Sequence, residues 1–465
     1  MILEQYYTKC LAQGTYYIAS NGEAAIIDPL REVQQYIDRA QDDKVRIKYI
    51  FLTHFHADFV SGHVDLADKT GATIVIGPNA VTSYAFAKAE HQQKFFIGDI
   101  SLTLLHTPGH TLESSCYLLK DEDGKEQALF TGDTLFIGDV GRPDLAAKSE
   151  MTQEDLAGML YDSLHKHILP LPDDITVYPA HGAGSACGKN MSSETSDTLG
   201  NQKKTNYALD TNLSRADFIK ELTSGISAPP AYFPLNVQMN KGVNSSIDEV
   251  IKRGVTPINA AAFKALADDP EFLVLDVRSP QEFTAGHVPG SWFIGLDGQF
   301  APWVGALIEN IDQKIILVVE PGREREAVTR LARVGYDNAN GFLYGGFESW
   351  KNAGFDVATT GNVSAKQFLD GLNDGSIKNA IDSRKSGEYE NSHLAETELL
   401  PLAGIHAHLP HLDKEKTYHV HCAGGYRSVI FASIAQANGI DNMINVEGGY
   451  GAIKKVAKPQ QLITL

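Results

Sequence analysis

Short apolar runs separated by polar, turn-forming segments recur through the first half of the chain, at residues 24–27, 47–52, 73–76, 101–105, 128–130 and 175–178. Several are β-branched, and Gly, Pro or Asp bounds them, so they read as buried strands with helix-like stretches between them. This alternation predicts an α/β architecture. Residues 188–206 (GKNMSSETSDTLGNQKKTN) break the pattern with almost no apolar position, as expected of an exposed loop.

The second half repeats itself. LDVRSPQEFTAGHVPGS (275–291) lines up without gaps on IDSRKSGEYENSHLAET (381–397), so Asp276 falls on Asp382, Arg278 on Arg384, Glu282 on Glu388 and His287 on His393. VVEPGRERE (318–326) then matches HCAGGYRS (421–428), and GGF (345–347) matches GGY (448–450). Two copies of one strand–helix–strand–helix module are expected. The polar run 240–248, ahead of a helix-like segment, sets the first boundary, giving expected domains 1–245, 256–357 and 362–465.

At 465 residues the chain is long enough for several cores, and its formal charge of −18 argues against nucleic-acid or anionic-membrane partners. The N-terminal residues lack the basic-then-apolar pattern of a signal peptide, and no apolar run reaches the length of a membrane span. Four cysteines (Cys10, Cys116, Cys187, Cys422) stand far apart with no CxxC pair, which fits a reducing, cytoplasmic setting. Cys10 and Cys116, on apolar segments, read as core.

Four predicted strands each end in a metal-ligand residue type. His54, His56 and Asp58 lie in THFHAD directly after the run 47–52, His110 in HTPGH, Asp133 in FTGD and His181 in YPAH. Strand ends of open α/β folds converge on one cleft, and convergent His and Asp residues bind metals.

The pattern resembles the metallo-β-lactamase superfamily, whose sandwich of two mixed sheets carries HxHxDH, a downstream His, a bridging Asp and a last His. The resemblance implies an αββα sandwich for the first block. It departs at one position: dinuclear hydrolases of the superfamily have His after the Asp, and here Phe59 follows Asp58. Persulfide dioxygenases in the superfamily hold one Fe(II) with two His and one Asp, which map onto His54, His110 and Asp133. Such a triad leaves adjacent positions open for O2 beside a substrate. His56, Asp58 and His181 would then surround the ligands and fix their tautomers, or form a second metal site, with His56 as a possible fourth ligand.

GDTLFIGDVGRPD (132–144) also resembles that subgroup. By the resemblance Arg142 contacts the charged arm of a thiol carrier such as glutathione; the alternative is a salt bridge to Asp139 or Asp144. Tyr178 either points its hydroxyl toward the metal cavity or belongs to the core. Cys187, in HGAGSACGKN, either relays persulfide sulfur or fills space.

In the last block a short strand ends at Cys422-Ala423-Gly424-Gly425-Tyr426-Arg427-Ser428 before a helix. Backbone N–H groups at such a turn stabilise a thiolate or a persulfide anion, and Arg427 adds an oxyanion clamp. This resembles the rhodanese active-site loop, and Asp382-Ser383-Arg384 resembles the family's earlier signature. The middle copy has Glu320 at the position read as equivalent to Cys422 and would be inactive. The histidines of IHAHLPHL (His406, His408, His411) read as a solvated loop, and His419 and His421 as half-buried strand residues.

The resemblances together imply oxidation of a low-molecular-weight persulfide by O2 to sulfite, with rhodanese sulfur transfer giving thiosulfate, one Fe(II) per chain with Zn as the alternative, and a homo-oligomer. The rival readings are a glyoxalase II-like dinuclear zinc thioester hydrolase and a non-catalytic persulfide sensor.

Overall fold

The computed structural model describes residues 1–145, 151–189, 191–226 and 228–464. The chain divides into two compact units, one of Met1–Ile247 with Ala332–Gly335, the other of Asp248–Leu331 with Tyr336–Leu465.

The first unit is built on two six-stranded sheets. One runs in chain order from Ile2–Thr8 through Gln13–Ser20, Glu23–Ile27, Arg46–Phe51 and Thr73–Ile76 to Ala87–Lys88. The other runs from Lys94–Ile97 through Ile100–His106, Ser115–Lys120, Glu126–Gly132 and Thr176–Pro179 to Asp197–Thr198. Tyr16, Ile18 and Phe51 of the first sheet meet Leu104, Tyr117 and Phe130 of the second in a shared core. Helices Gln34–Asp42 and His63–Thr70 cover the outer face of one sheet, and Gln153–Ser163 and Arg215–Thr223 that of the other. This is the αββα sandwich. Each apolar run in the sequence became a strand because both faces of a central strand are buried in such layers.

Residues 188–206 are not the exposed loop their composition suggests; residue 190 lies outside the described residues. Asp197–Thr198 pairs with Thr176–Pro179, and the Thr198 side chain caps helix Leu199–Thr205. Gln202 is buried, donates to Asp197 Oδ2 and accepts from Gly138 N–H, while the Asn206 amide donates to the carbonyls of Phe136 and Asp139. Polar side chains that satisfy one another can be buried without an apolar pattern. Here they brace the loop that follows Asp133.

The second unit repeats one five-stranded parallel sheet. In the middle copy the order is Pro257–Ile258, Ala339–Leu343, Lys314–Val318, Phe272–Asp276, Trp292–Phe293. In the last copy the equivalents are Gly361–Val363, Met443–Val446, Tyr418–His421, Ala380–Asp382 and Glu398–Leu399. The shared Asp-x-Arg signature has the same role in both: Arg278 holds Asp276 at 2.6 Å and the Gly286 carbonyl at 2.9 Å, and Arg384 holds Asp382 at 2.6 Å and the Ser392 carbonyl at 2.9 Å. These buried forks tie a strand end to the following segment, which explains why the signature appears in a copy without a sulfur carrier.

Candidate active sites

His54, His110 and Asp133 meet at the ends of strands from both sheets. Asp133 Oδ2 lies 3.4 Å from His110 Nε2 and 3.7 Å from His54 Nε2. Ligands bonded to one ion at about 2.1 Å are separated by roughly 3–3.5 Å, so the three atoms surround a common centre. The other nitrogen of each ring is already committed. His110 Nδ1–H donates to the Arg142 carbonyl at 2.8 Å. Thr53 Oγ1 donates to Asp28 Oδ2 at 2.7 Å and so accepts from His54 Nδ1–H at 3.0 Å. Both rings therefore present an Nε2 lone pair to the centre.

Asp28 was not singled out in the sequence. It follows strand Glu23–Ile27, has φ +50°, accepts from Thr53 N–H at 2.8 Å, and stands 3.2 Å from His56 Nε2. Gly132 (φ +52°) is equally exacting, since a Cβ there would meet the Thr53 side chain at 2.6 Å. Asn240 was also missed. From helix Phe233–Lys241 its wholly buried amide donates to the carbonyls of His56 and Phe59, and its oxygen accepts from Ser61 N–H, all at 2.8 Å. One side chain thus fixes the loop bearing His56 and Asp58. Its sequence setting, a polar run, disguised it.

His56, Asp58 and His181 form a second buried cluster whose ligand atoms lie within 4.8 Å of one another, as do those of Asp133, His181 and Cys187. His181 Nδ1 bonds Asp133 Oδ1 at 2.7 Å, and its Nε2 stands 2.9 Å from Asp58 Oδ2. Asp133 Oδ2, Asp58 Oδ1 and His56 Nδ1 are buried with no hydrogen-bond partner. Buried polar atoms are seldom left so, and a bound cation would satisfy them: the residues fit a metal. Burial would raise the Asp133 carboxyl, but His181, His54 and His110 hold it far below the carboxylate range. Burial depresses His54, reinforced by His56. Phe59 is fully buried with its ring 4.4 Å from that of His56.

Cys187 is buried beside Asp133 and His181. Burial, then Asp58 and Asp133, push its thiol well above the ordinary range. Arg142 is in the arrangement of the alternative reading: its guanidinium grips Asp144 at 2.6 and 2.7 Å and donates to the Ala186 carbonyl. Its backbone N–H donates to the Cys187 carbonyl, so Arg142 links the His110 and Cys187 loops. Tyr178 is half-buried, stacked on Phe130 at 5.6 Å and packed against the inter-sheet core.

In the last copy, Cys422 is 1 % exposed and its Sγ accepts from Gly425 N–H at 3.1 Å, with Ser428 Oγ at 3.5 Å. Gly425 caps helix Tyr426–Ala437 in a left-handed conformation, aiming the first turn at the sulfur. Arg427 is not free. Glu388 binds it through two hydrogen bonds of 2.6 and 2.8 Å, and Arg427 holds the Glu388 carboxyl down at about 2.

In the middle copy the sulfur position falls one residue before Glu320. Asp276 pairs with Val318 as Asp382 pairs with His421, and Gly322 (φ +95°) matches Gly425 (φ +99°). The residue standing where Cys422 stands is therefore Val319, and Glu320 corresponds to Ala423. Valine has no group to carry sulfur either. His421 is also fully buried rather than half-buried, and burial pushes it down to about 4. The segment of His406 and His408 is a short helix, with His406 bonded to the Leu307 carbonyl at 2.8 Å.

Residues 9–181 match the metallo-beta-lactamase superfamily, and residues 259–353 and 364–455 each match the rhodanese-like domain. A metallo-beta-lactamase structure from Staphylococcus aureus is 33 % identical, with a TM-score of 0.65, over 74 % of this chain and 98 % of that one. The chain belongs to the metallo-beta-lactamase superfamily. Its superfamily domain is followed by two rhodanese-like domains. Curated relatives include a probable polyketide-biosynthesis zinc-dependent hydrolase of Bacillus velezensis, 30 % identical over 38 % of this chain and 76 % of the relative. The cytoplasmic hydroxyacylglutathione hydrolase isozyme of Saccharomyces cerevisiae is 32 % identical over 27 % of this chain, and the match spans about half, 47 %, of the relative's length. Among the described residues no helix is long and apolar enough to cross a membrane.

Proposed function

We propose that this metallo-beta-lactamase–rhodanese chain is an Fe(II)-dependent persulfide dioxygenase coupled to a sulfurtransferase. The observation that carries the reading is the His54–His110–Asp133 triad beside Phe59, whose buried ring lies against His56. Two imidazoles and one carboxylate suit ferrous iron with open positions. An apolar ring next to Asp58 disfavours a second ion. A ferrous ion held there supplies the redox chemistry by which R–S–SH, O2 and water become R–SH and sulfite.

The chain's own residues prepare that chemistry. Thr53 and the Arg142 carbonyl fix the two imidazole tautomers, and His181 holds Asp133 Oδ1 so that Oδ2 faces the centre. Phe59 and Phe136 lend the site apolar walls against water. In this reading His56, Asp58 and His181 support the ligands, and Cys187 lies within reach of an incoming sulfur compound. Cys422 carries a second sulfane sulfur as a persulfide, stabilised by Gly425 N–H, and sulfite attacking it leaves as thiosulfate while Cys422 returns to the thiolate. Four unpaired cysteines suit a reducing, cytoplasmic setting.

A second reading is favoured by one observation, the His56–Asp58–His181 cluster, which could hold another ion as in a dinuclear thioester hydrolase. Metal analysis and an oxygen electrode separate the readings. Protein purified without added metal should hold about one iron per chain and consume O2 with glutathione persulfide. Two zinc ions and hydrolysis of a glutathione thioester without O2 uptake would establish the rival. Sulfur loading without turnover would point to a sensor.

A further inference from the structure

The middle rhodanese-like copy has kept its fold while losing its sulfur carrier, which leaves its purpose unexplained. Its turn Gly295–Gly298, just after strand Trp292–Phe293, answers part of this. Tyr426 of the sulfur-carrying loop donates its hydroxyl hydrogen to the Gly295 carbonyl at 2.7 Å. Its ring lies over Gly298 so closely that a Cβ there would fall 2.2 Å from ring carbon Cζ. Phe293 packs edge-on against the same ring at 5.8 Å, and its N–H donates to Ser433 Oγ, two turns further along the helix that Tyr426 begins.

The turn is itself held by the degenerate loop of its own copy. Arg323, the counterpart of Tyr426 in the structural register, grips Asp297 at 2.7 and 2.9 Å, and Arg330 donates to the Leu296 carbonyl. Tyr426 sits directly between Gly425, whose N–H binds Cys422 Sγ, and Arg427. A clash at its ring that the backbone takes up moves the adjoining Gly425 amide.

We propose that the middle copy positions the sulfur-carrying loop of the last copy, with Tyr426 as the positioning residue seated on the Gly295–Gly298 turn. This rests on the sulfurtransferase reading of Cys422. Arg427 is anchored separately by Glu388, so the seat governs the donor to Sγ and not the capture of an anionic substrate.

The test uses the full chain with Gly298→Ala, Tyr426→Phe and wild type. Two readouts apply: steady-state sulfur transfer from thiosulfate to cyanide, and the alkylation rate of Cys422 by iodoacetamide followed by peptide mass spectrometry. Gly298→Ala should lower kcat on the order of ten-fold or more, as expected for a reacting group moved by a fraction of an ångström, with KM for thiosulfate unchanged within about two-fold. Cys422 alkylation should slow in parallel. Tyr426→Phe keeps the ring and loses one hydrogen bond, so its loss should be smaller, about three-fold, and it decides the matter if Gly298→Ala does not fold. Wild-type kcat and wild-type alkylation in the folded variants would overturn the proposal, as would a loss confined to KM. If wild type transfers no sulfur while alkylation of Cys422 still slows in the variants, the sulfurtransferase reading fails and the seat stands.

Discussion

Replacing Asn240 by Ala should loosen the loop that bears His56 and Asp58 from a distance. The amide makes three hydrogen bonds of 2.8 Å, to the carbonyls of His56 and Phe59 and from the N–H of Ser61, all shielded from water. Alanine leaves two acceptors and one donor buried without partners, at about 1–3 kcal/mol each. Water entering the vacated volume recovers part of this, so a net loss of about 3 kcal/mol is expected, roughly a hundred-fold in a local opening equilibrium. All three tryptophans (Trp292, Trp303, Trp350) lie in the rhodanese-like half, so tryptophan fluorescence would miss the change. Hydrogen-exchange mass spectrometry of peptides covering residues 54–62 reads it directly, and metal analysis of the same sample shows whether a looser loop holds less metal. Exchange within about three-fold of wild type, with full metal content, would refute the reasoning, since about 1 kcal/mol or less would then separate a satisfied loop from an unsatisfied one.

The other expectations concern the two chemistries separately. His110→Ala and Asp133→Ala should each abolish bound iron and O2 uptake together, while His181→Ala should keep most of the metal and alter the rate; full iron and activity in His110→Ala would sink the triad. Cys422→Ser should still consume O2 with a persulfide but yield sulfite in place of thiosulfate, and thiosulfate formed at the wild-type rate would move sulfur transfer to another thiol. Glu320→Ala should leave sulfur transfer intact, because neither Glu320 nor Val319 carries sulfur. Glu388→Gln should free Arg427 and lower KM for thiosulfate several-fold at neutral pH, with an unchanged KM arguing against Arg427 as an anion clamp. Because Arg427 lowers the Glu388 carboxyl from 4.5 to about 2, the pair's contribution to stability is fully present above pH 4.5 and fades as pH falls toward 2. Acid unfolding should therefore begin earlier in wild type relative to its neutral-pH stability than in Glu388→Gln.

The strands preceding His54, His110, Asp133 and His181 were legible in the sequence because an apolar run buried on both faces leaves a continuous hydrophobic signal, and the candidate metal-site residues stand in the loops just past the strand ends. The duplication was legible because matching residues kept constant spacing. Its register changes between the Asp motif and the sulfur position, because the intervening segment differs in length between the copies, and the match of VVEPG on HCAGG places Val319, not Glu320, on Cys422. The pairing of Val318 with Asp276 and of His421 with Asp382 agrees with that register.

By itself the sequence determined the α/β class, the superfamily motif, the tandem copies and which residue types could hold a metal or carry sulfur, since these follow from local pattern and side-chain chemistry. The tertiary structure alone decided what holds those groups in place. Asp28, Asn240 and Glu388 act across 25, 184 and 39 residues of chain, and Tyr426 reaches its seat across 131. A polar side chain writes no periodicity into the sequence, and whether it is solvated or buried as a brace depends on partners that only folding brings within 3 Å.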